Sequence, residues 1–385
     1  MKSVLLVATV GGFVPQFELN DVKLLRELEC EIHYAANFDY SVYNVSDKLL
    51  AEHKLHKHQL DIHKSPFKLI QNYRAYKELK RLIDKLDIEL VHCHTPVGGL
   101  ISRLAASKSH KKPKVIYTAH GFHFYKGAPL LNWCTYYLVE RFLAKKTDVI
   151  VTINQEDYIR ACGFRMKKNG KVYKIPGVGI NHERFNAKMP KQSKEIEIKE
   201  IRNETSAGDK KIFRLVTVAE LSKNKNHQIV IRALEKLGRN DIYYDIYGGG
   251  PYENELRKLI IDLKLEKYIK LRGYAEKPEN VLKSSDCFVF PSLREGLGMA
   301  ALEAMASGVP VIANDNRGTR EYMRDGYNGI VCKNGTVEEY ARAIETMVED
   351  YETRKQQGQN AIKTSMAFDI KYTEETMRMV YNTLI

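Results

Sequence analysis

Long apolar runs are missing from this 385-residue chain, and none approaches the roughly 18 residues that a membrane-spanning helix needs. The opening MKSVLLVATVGG carries a lysine and then apolar residues, but the run is short and no small-residue cleavage site follows. It reads as a buried first strand ending at glycine rather than a secretory leader. CxxC pairs are missing too. The cysteines stand apart at positions 30, 93, 134, 162, 287 and 332, which argues against disulfides and structural zinc and for a reducing, cytoplasmic setting. Low-complexity tracts and internal repeats are absent, and Trp133 is the only tryptophan.

What is present is a globular composition, 44% hydrophobic and 28% charged, at a length that suggests two domains. The net charge of +13 is lopsided: residues 1–185 hold 29 Lys+Arg against 18 Asp+Glu (+11), and residues 186–385 hold 32 against 30 (+2). A basic first half could meet nucleic acid, an anionic membrane or an acidic substrate. A merely solvated basic surface is the plain alternative. No nucleic-acid motif is found, and the aromatic residues are not spaced as a stacking platform, so nucleic acid is not an expected partner.

Short β-rich runs alternate with helical patterns along the chain. Strands are expected at Val4–Thr9, Ile32–Ala36, Leu90–His92, Lys114–Thr118 and Val149–Ile153, and again at Phe213–Ala219, Tyr243–Tyr247, Ile269–Arg272, Cys287–Pro291 and Val309–Ala313. Alternating strand and helix means α/β architecture with parallel sheets covered on both faces. The polar interval 181–211 breaks the rhythm and reads as an interdomain connection carrying one helix. The expectation is two doubly wound, Rossmann-like domains facing a cleft, over 1–185 and 186–365, with 366–385 a terminal helix packing back on the first. Ligands of such sheets bind outside the carboxyl ends of the strands.

The stretch REGLGMAALEAMASGVPVIA (294–313) places Glu295 on a glycine-rich loop and Glu303 inside a helix of small apolar residues. Glycines let backbone amides approach a ligand, and a helix N-terminus favours phosphate. Carboxylates accept hydrogen bonds from sugar hydroxyls. The arrangement suits a ligand with a diphosphate centre and hydroxyl-rich ends. The plainer alternative is a capping Glu295 and a surface Glu303, but a carboxylate buried on the packed face would cost several kcal/mol unless partnered.

The same stretch resembles the glutamate–seven residues–glutamate motif of the retaining family 4 glycosyltransferases, which have the GT-B fold. IPGVGINHERF (175–185), YGGGP (247–251), SDCFVFPS (285–292), GTREYMRDGYNGIV (318–331), VHCHTPVGGLISRLAA and TAHGFHF also match, in order and over nearly the whole chain. The branch it looks most like builds capsular or exopolysaccharide repeat units. The resemblance implies a nucleotide-sugar donor, UDP-linked, and a polyprenyl-diphosphate-linked saccharide acceptor. It implies that Glu303 holds the ribose hydroxyls, that Glu295 contacts the transferred sugar, and that amides around Gly296, Leu297, Gly298 and Met299 hold the diphosphate. Gly11 and Gly12 match the first domain's glycine loop, which faces the donor phosphates; they could otherwise form only a tight turn.

The family usually supplies an arginine and, five residues later, a lysine to the phosphates. Here VAELSKNKNHQ (218–228) aligns Lys225 with the lysine but puts Glu220 at the arginine position. Lys223 could partly compensate, and Glu220 could orient Lys225; a solvated helix start is the alternative for both lysines. No DxD-type cluster would hold a metal, so no metal or other cofactor is expected. His120 matches a family histidine that contacts the transferred sugar, with a packed strand end as the alternative; His123 is a weaker candidate. HKLHKHQLDIH (53–63) reads as a solvated loop, and His92 and His94 share one strand face. Two segments suggest a surface for anionic lipid: the aromatic-rich 121–146, with Phe122, Phe124, Tyr125, Leu130, Leu131 and Trp133, and the basic amphipathic helix 64–85. Core packing is the competing account of both. The expected location is therefore cytoplasmic, peripheral on the inner face of the membrane. Competing functions are a sugar-nucleotide epimerase or hydrolase of the same fold, a nucleic-acid binder, and a catalytically silent scaffold.

Overall fold

The apolar runs pair as parallel strands in two separate sheets. A computed structural model of the chain describes residues 1–39, 45–186 and 212–385. The expected interdomain connection begins with the short helix His182–Asn186, and its residues 187–211 lie outside the described residues.

The described residues divide into two compact units. The first holds Met1–Gly179 and Ile370–Ile385, the second Ile180–Asp369. In the first, the strands are β1 (Ser3–Val10), β2 (Glu31–Asn37), β3 (His56–Gln59), β4 (Leu90–His94), β5 (Lys114–Ala119), β6 (Val149–Thr152) and β7 (Lys171–Lys174), ordered 3-2-1-4-5-6-7. In the second they are β8 (Phe213–Val218), β9 (Ile242–Tyr247), β10 (Ile269–Gly273), β11 (Cys287–Phe290), β12 (Val311–Asn314) and β13 (Gly329–Cys332), ordered 10-9-8-11-12-13. Among the described residues, the neighbouring strands of both sheets pair parallel. Both orders reverse direction once, between β1 and β4 and between β8 and β11. The connections leaving those neighbours diverge, so the crevice for a ligand opens beyond their carboxyl ends.

Helices cover both faces of the central strands, and β4, β6, β11 and β12 are buried at every residue, the polar ones among them (His92, His94, Thr152 and Asn314) included. One cluster packs helix Leu69–Lys85 and helix Pro96–Lys108 onto the first sheet through Ala75, Leu79, Ile83, Ile101 and Ala105. Helix Ile370–Leu384 packs on helix Leu19–Glu27, and Thr373 Oγ1 donates to the Gly177 carbonyl at 2.9 Å.

Two expectations are corrected. His56–Gln59, read as part of a solvated loop, is strand β3. Its side chains are mostly exposed, so no apolar alternation marks it; pairing with β2 makes it a strand, beside a 3.1 Å contact of His33 Nδ1 with His58 Nε2. Phe122 and Phe124, read with an exposed aromatic set, are buried at 3% and 0% exposure. Their rings stack at 4.7 Å, and Phe124 packs against Trp133 at 5.7 Å, so core packing accounts for them. Leu130 and Leu131 of the same set stay exposed.

Candidate active site

In the second unit the segments leaving β8 and β11 meet. After β8 the backbone forms a one-turn helix at Lys223–Lys225 and passes through Asn226 at φ 54° before helix His227–Leu237. After β11 it runs through Leu293–Leu297 to Gly298, whose φ of 96° caps helix Met299–Ala306. The two segments are sewn together: Leu293 N donates to Asn224 O at 2.9 Å, and Asn224 Nδ2 donates to Arg294 O at 3.0 Å. This brings Lys225 Nζ within 2.7 Å of Glu295 Oε1. Lys225 also lies 5.4 Å from the centre of the buried Phe290 ring. Glu220, by contrast, has an exposed side chain, and only its carbonyl takes part, accepting from His227 Nε2 at 3.2 Å. The orienting partner of Lys225 is therefore Glu295 rather than Glu220. Lys223 is exposed.

Glycine is required where backbones press together. At Gly298 a Cβ would meet the Phe290 ring at 2.7 Å and Tyr322 Oη at 2.8 Å, in addition to the left-handed φ. In the YGGGP turn a Cβ on Gly248 would lie 1.9 Å from Ala219 O, so the turn can close on the segment leading to Lys225 only with glycine.

A second layer holds the loop from behind. Asn316 Nδ2 donates to Ser292 O at 2.9 Å, while its Oδ1 accepts from the amides of Gly318 and Thr319 at 3.0 and 3.2 Å. Gly318 faces Glu295 and Leu297 so closely that a Cβ would meet both at 2.8 Å. Leu297 is buried, whereas Gly296, Gly298 and Met299 are half-buried.

Glu303 is half-buried one turn into the helix. Burial pushes its carboxyl up to about 7; Arg184 nearby acts to lower it and Glu279 to raise it further. Arg184 is itself held by Glu279 Oε2, through Nε at 3.1 Å and Nη2 at 2.8 Å. Arg184 is a site neighbour that the sequence does not mark: its NHERF context carries no periodic signal, and its relation to Glu303 is long-range.

In the first unit the ends of β1, β4 and β5 carry the glycines and histidines. Tyr34 Oη donates to the carbonyls of Val10 and Gly11 at 3.0 and 2.9 Å and accepts from Val14 N at 3.4 Å, which pins the Gly11–Gly12 turn. A Cβ on Gly11 would strike the Phe38 ring at 2.4 Å, and Gly12 is buried at the start of helix Phe13–Phe17. Thr95, directly after β4, sits at φ 65°, a costly angle for a β-branched residue, held by a 2.6 Å contact between its hydroxyl and that of Thr9.

His94 and His120 lie together, with His94 Nδ1 3.2 Å from His120 Nε2. Glu18, which the sequence reading did not single out, joins them: its Oε1 is 3.7 Å from His94 Nδ1 and 3.2 Å from His120 Nε2. Burial pushes the Glu18 carboxyl well up, and its neighbour Asp21 adds to this; burial likewise pushes His120 down to about 4 and His94 well down. His92 forms a deeper layer, 2.8 Å from Tyr381 Oη and 2.7 Å from Thr118 Oγ1. His123 instead stacks on Tyr136 at 4.6 Å.

Two doubly wound parallel-sheet units, one ending its switch-point strand in a glycine-capped helix, are the architecture of GT-B glycosyltransferases. The family model "Glycosyl transferases group 1" matches residues 197–364, and the model "Glycosyl transferase 4-like" matches residues 19–154. The chain is 38% identical over 384 residues to the "Putative glycosyltransferase EpsD" of Bacillus subtilis (strain 168), covering 99% of this chain and 96% of that protein. The chain therefore belongs to the group 1, 4-like glycosyltransferases. It is also 26% identical over 287 residues to the Escherichia coli "UDP-Gal:alpha-D-GlcNAc-diphosphoundecaprenol alpha-1,3-galactosyltransferase", covering 73% of this chain and 72% of that one. The crystal structure of Anabaena Alr3699/HepE in complex with UDP and glucose covers all of both chains with a TM-score of 0.79 at 17% identity, a likeness of fold.

Proposed function

We propose that this glycosyltransferase is a retaining enzyme that moves a sugar from a UDP-sugar to a polyprenyl-diphosphate-linked saccharide in capsular or exopolysaccharide synthesis. The observation that carries the reading is the Lys225–Glu295 pair at 2.7 Å, set beside a glycine-capped helix that holds Glu303 one turn further on. A diphosphate leaving group gains negative charge as its glycosidic bond breaks. Lys225 and the amides around Gly296, Leu297, Gly298 and Met299 supply fixed positive potential for that charge, without a metal. Glu295 orients Lys225 and addresses the transferred sugar, Glu303 accepts from the ribose hydroxyls, and Lys223 adds charge from the surface. From the first unit, Gly11 and Gly12 present backbone to the donor phosphates and His120 contacts the transferred sugar. Retention follows a front-side path, in which the acceptor hydroxyl attacks from the face the phosphate leaves and a phosphate oxygen takes its proton.

The donor class is supported by the Escherichia coli relative, whose name specifies UDP-Gal and a diphosphoundecaprenol acceptor, and by the UDP held in the Anabaena structure. Peripheral attachment to the inner membrane face is supported by exposed Phe67, Leu69, Ile70, Leu130 and Leu131 on the basic first unit. No helix among the described residues is long and apolar enough to cross a membrane. A thermal-shift panel of nucleotide sugars followed by calorimetry tests the reading. Selective stabilisation by one UDP-sugar and by UDP supports it. Indifference to all of them overturns it, and release of free sugar or an interconverted donor without acceptor assigns the chain to the hydrolase or epimerase alternative.

A further inference from the structure

We propose that His94 is a positioning residue for His120: it donates its Nδ1 proton to His120 Nε2 and so fixes the tautomer in which His120 turns an Nδ1–H, a hydrogen-bond donor, to its exposed edge. That the recipient is an oxygen of the transferred sugar rests on the function proposed above. The tautomer itself rests on the first unit's geometry alone.

Three atoms meet behind the His120 ring. His94 Nδ1 and Glu18 Oε1 each lie 3.2 Å from His120 Nε2, and they are 3.7 Å from one another. A neutral imidazole carries one proton, so one of its nitrogens donates and the other accepts. The Glu18 contact is not a hydrogen bond: Oε1 is enclosed and makes none. The His94 contact is one, and its direction follows from what each choice would strand. His94 is fully enclosed, and its Nε2 has no partner. Were His120 the donor, the His94 proton would sit on that Nε2, a buried N–H with no acceptor, which is the rarer kind of orphan in proteins. With His94 as donor, only a lone pair is stranded. Nδ1 is then the one place left for the His120 proton.

The surroundings keep this arrangement. Burial pushes His94 well down, with His92 and His120 adding to the effect, and pushes His120 down to about 4, so both rings are uncharged at neutral pH. Burial pushes the Glu18 carboxyl well up, and Asp21 adds to this, so no anion opposite Nε2 draws the ring proton inwards. The Phe13 ring packs edge-on at 5.0 Å from His120 and tilted at 5.6 Å from His94, which holds both ring planes. His120 keeps 24% of its side chain exposed, and its Nδ1 makes no hydrogen bond among the described residues, so the proton there is available to a ligand. A hydrogen bond to one imidazole nitrogen thus decides what the other offers.

Long-range nitrogen–proton NMR spectra of the full-length chain, isotope-labelled at histidine, read the tautomer directly. In the wild type at neutral pH, His120 Nδ1 should bear the proton and Nε2 should be bare, with a coupling across the hydrogen bond joining Nε2 to the protonated His94 Nδ1. A proton-bearing His120 Nε2, or a doubly protonated ring, overturns the inference. His94→Phe keeps a ring and removes the donor, so the His120 Nε2–H form, facing Glu18 Oε1, should appear. His94→Asn, whose amide can donate from the same place, should keep the wild-type tautomer. A tautomer unchanged in His94→Phe also overturns the inference. Should that variant fail to fold, the wild-type coupling decides: its presence supports the bond from His94, and its absence overturns it. These spectra contain no sugar donor. With the tautomer established, turnover at saturating UDP-sugar should fall at least about tenfold in His94→Phe. Unchanged turnover there would remove the His120 contact with the sugar from the proposed function and leave the tautomer standing.

Discussion

Replacing Glu303 with glutamine separates two effects of opposite sign. The carboxyl is desolvated on its helix, which raises its folded-state value to about 7. Below the ordinary glutamate range both folded and unfolded chains carry the proton, and the group contributes nothing to stability. As pH rises towards 7 the unfolded chain loses its proton first, so the wild-type fold is progressively destabilised, and above 7 the full cost remains. The rise from the ordinary glutamate value of 4.5 to about 7 sets the full cost at about 3 kcal/mol. Glutamine keeps the shape and removes the charge but still buries an amide, so a gain of about 1–2 kcal/mol at pH 8 is expected. At pH 4.5 and below the two proteins should be nearly equal. Donor binding should move the other way. A charged acceptor is worth about 1–2 kcal/mol more than a neutral one, so UDP affinity at pH 8 should fall roughly 5- to 30-fold. Urea melts at the two pH values and calorimetry with UDP measure both. A variant no more stable than wild type at pH 8 refutes the buried-carboxylate argument, and undiminished UDP affinity refutes the ribose role.

Other predictions follow from single contacts. Lys225→Ala should cut turnover at saturating donor by at least about tenfold, the scale of one lost oxyanion donor, and unchanged turnover removes Lys225 from the mechanism. Arg103→Ala strands Glu140, which now accepts from the guanidinium at 2.7 and 3.0 Å inside the first unit. The expected loss is about 3–5 kcal/mol in urea unfolding, and a loss below 1 would contradict the burial of the pair. Ile70→Glu with Leu131→Glu should reduce co-sedimentation with anionic liposomes at low salt; wild-type sedimentation that ignores lipid charge and salt defeats the docking idea. Dialysis against EDTA should leave sugar transfer intact, and recovery of lost activity by added magnesium would show that the diphosphate needs a metal.

The sequence by itself determined the alternating architecture, because parallel strands buried on both faces must be apolar at nearly every residue, as in CFVF and VIAN. It also determined the loop and helix that carry Glu295 and Glu303, because a glycine-capped loop and the helix after it are consecutive in the chain. Short edge strands were not legible: HKHQ and KVYK become strands only because β2 and β6 offer free edges to pair with. Tertiary structure alone decided that Lys225 meets Glu295 seventy positions away, that Phe122 and Phe124 turn inwards, and that Glu18 reaches His94 and His120. Periodicity and capping are written in neighbouring residues. Which carboxylate meets which cation depends on how strands order themselves in a sheet, and no local pattern encodes that.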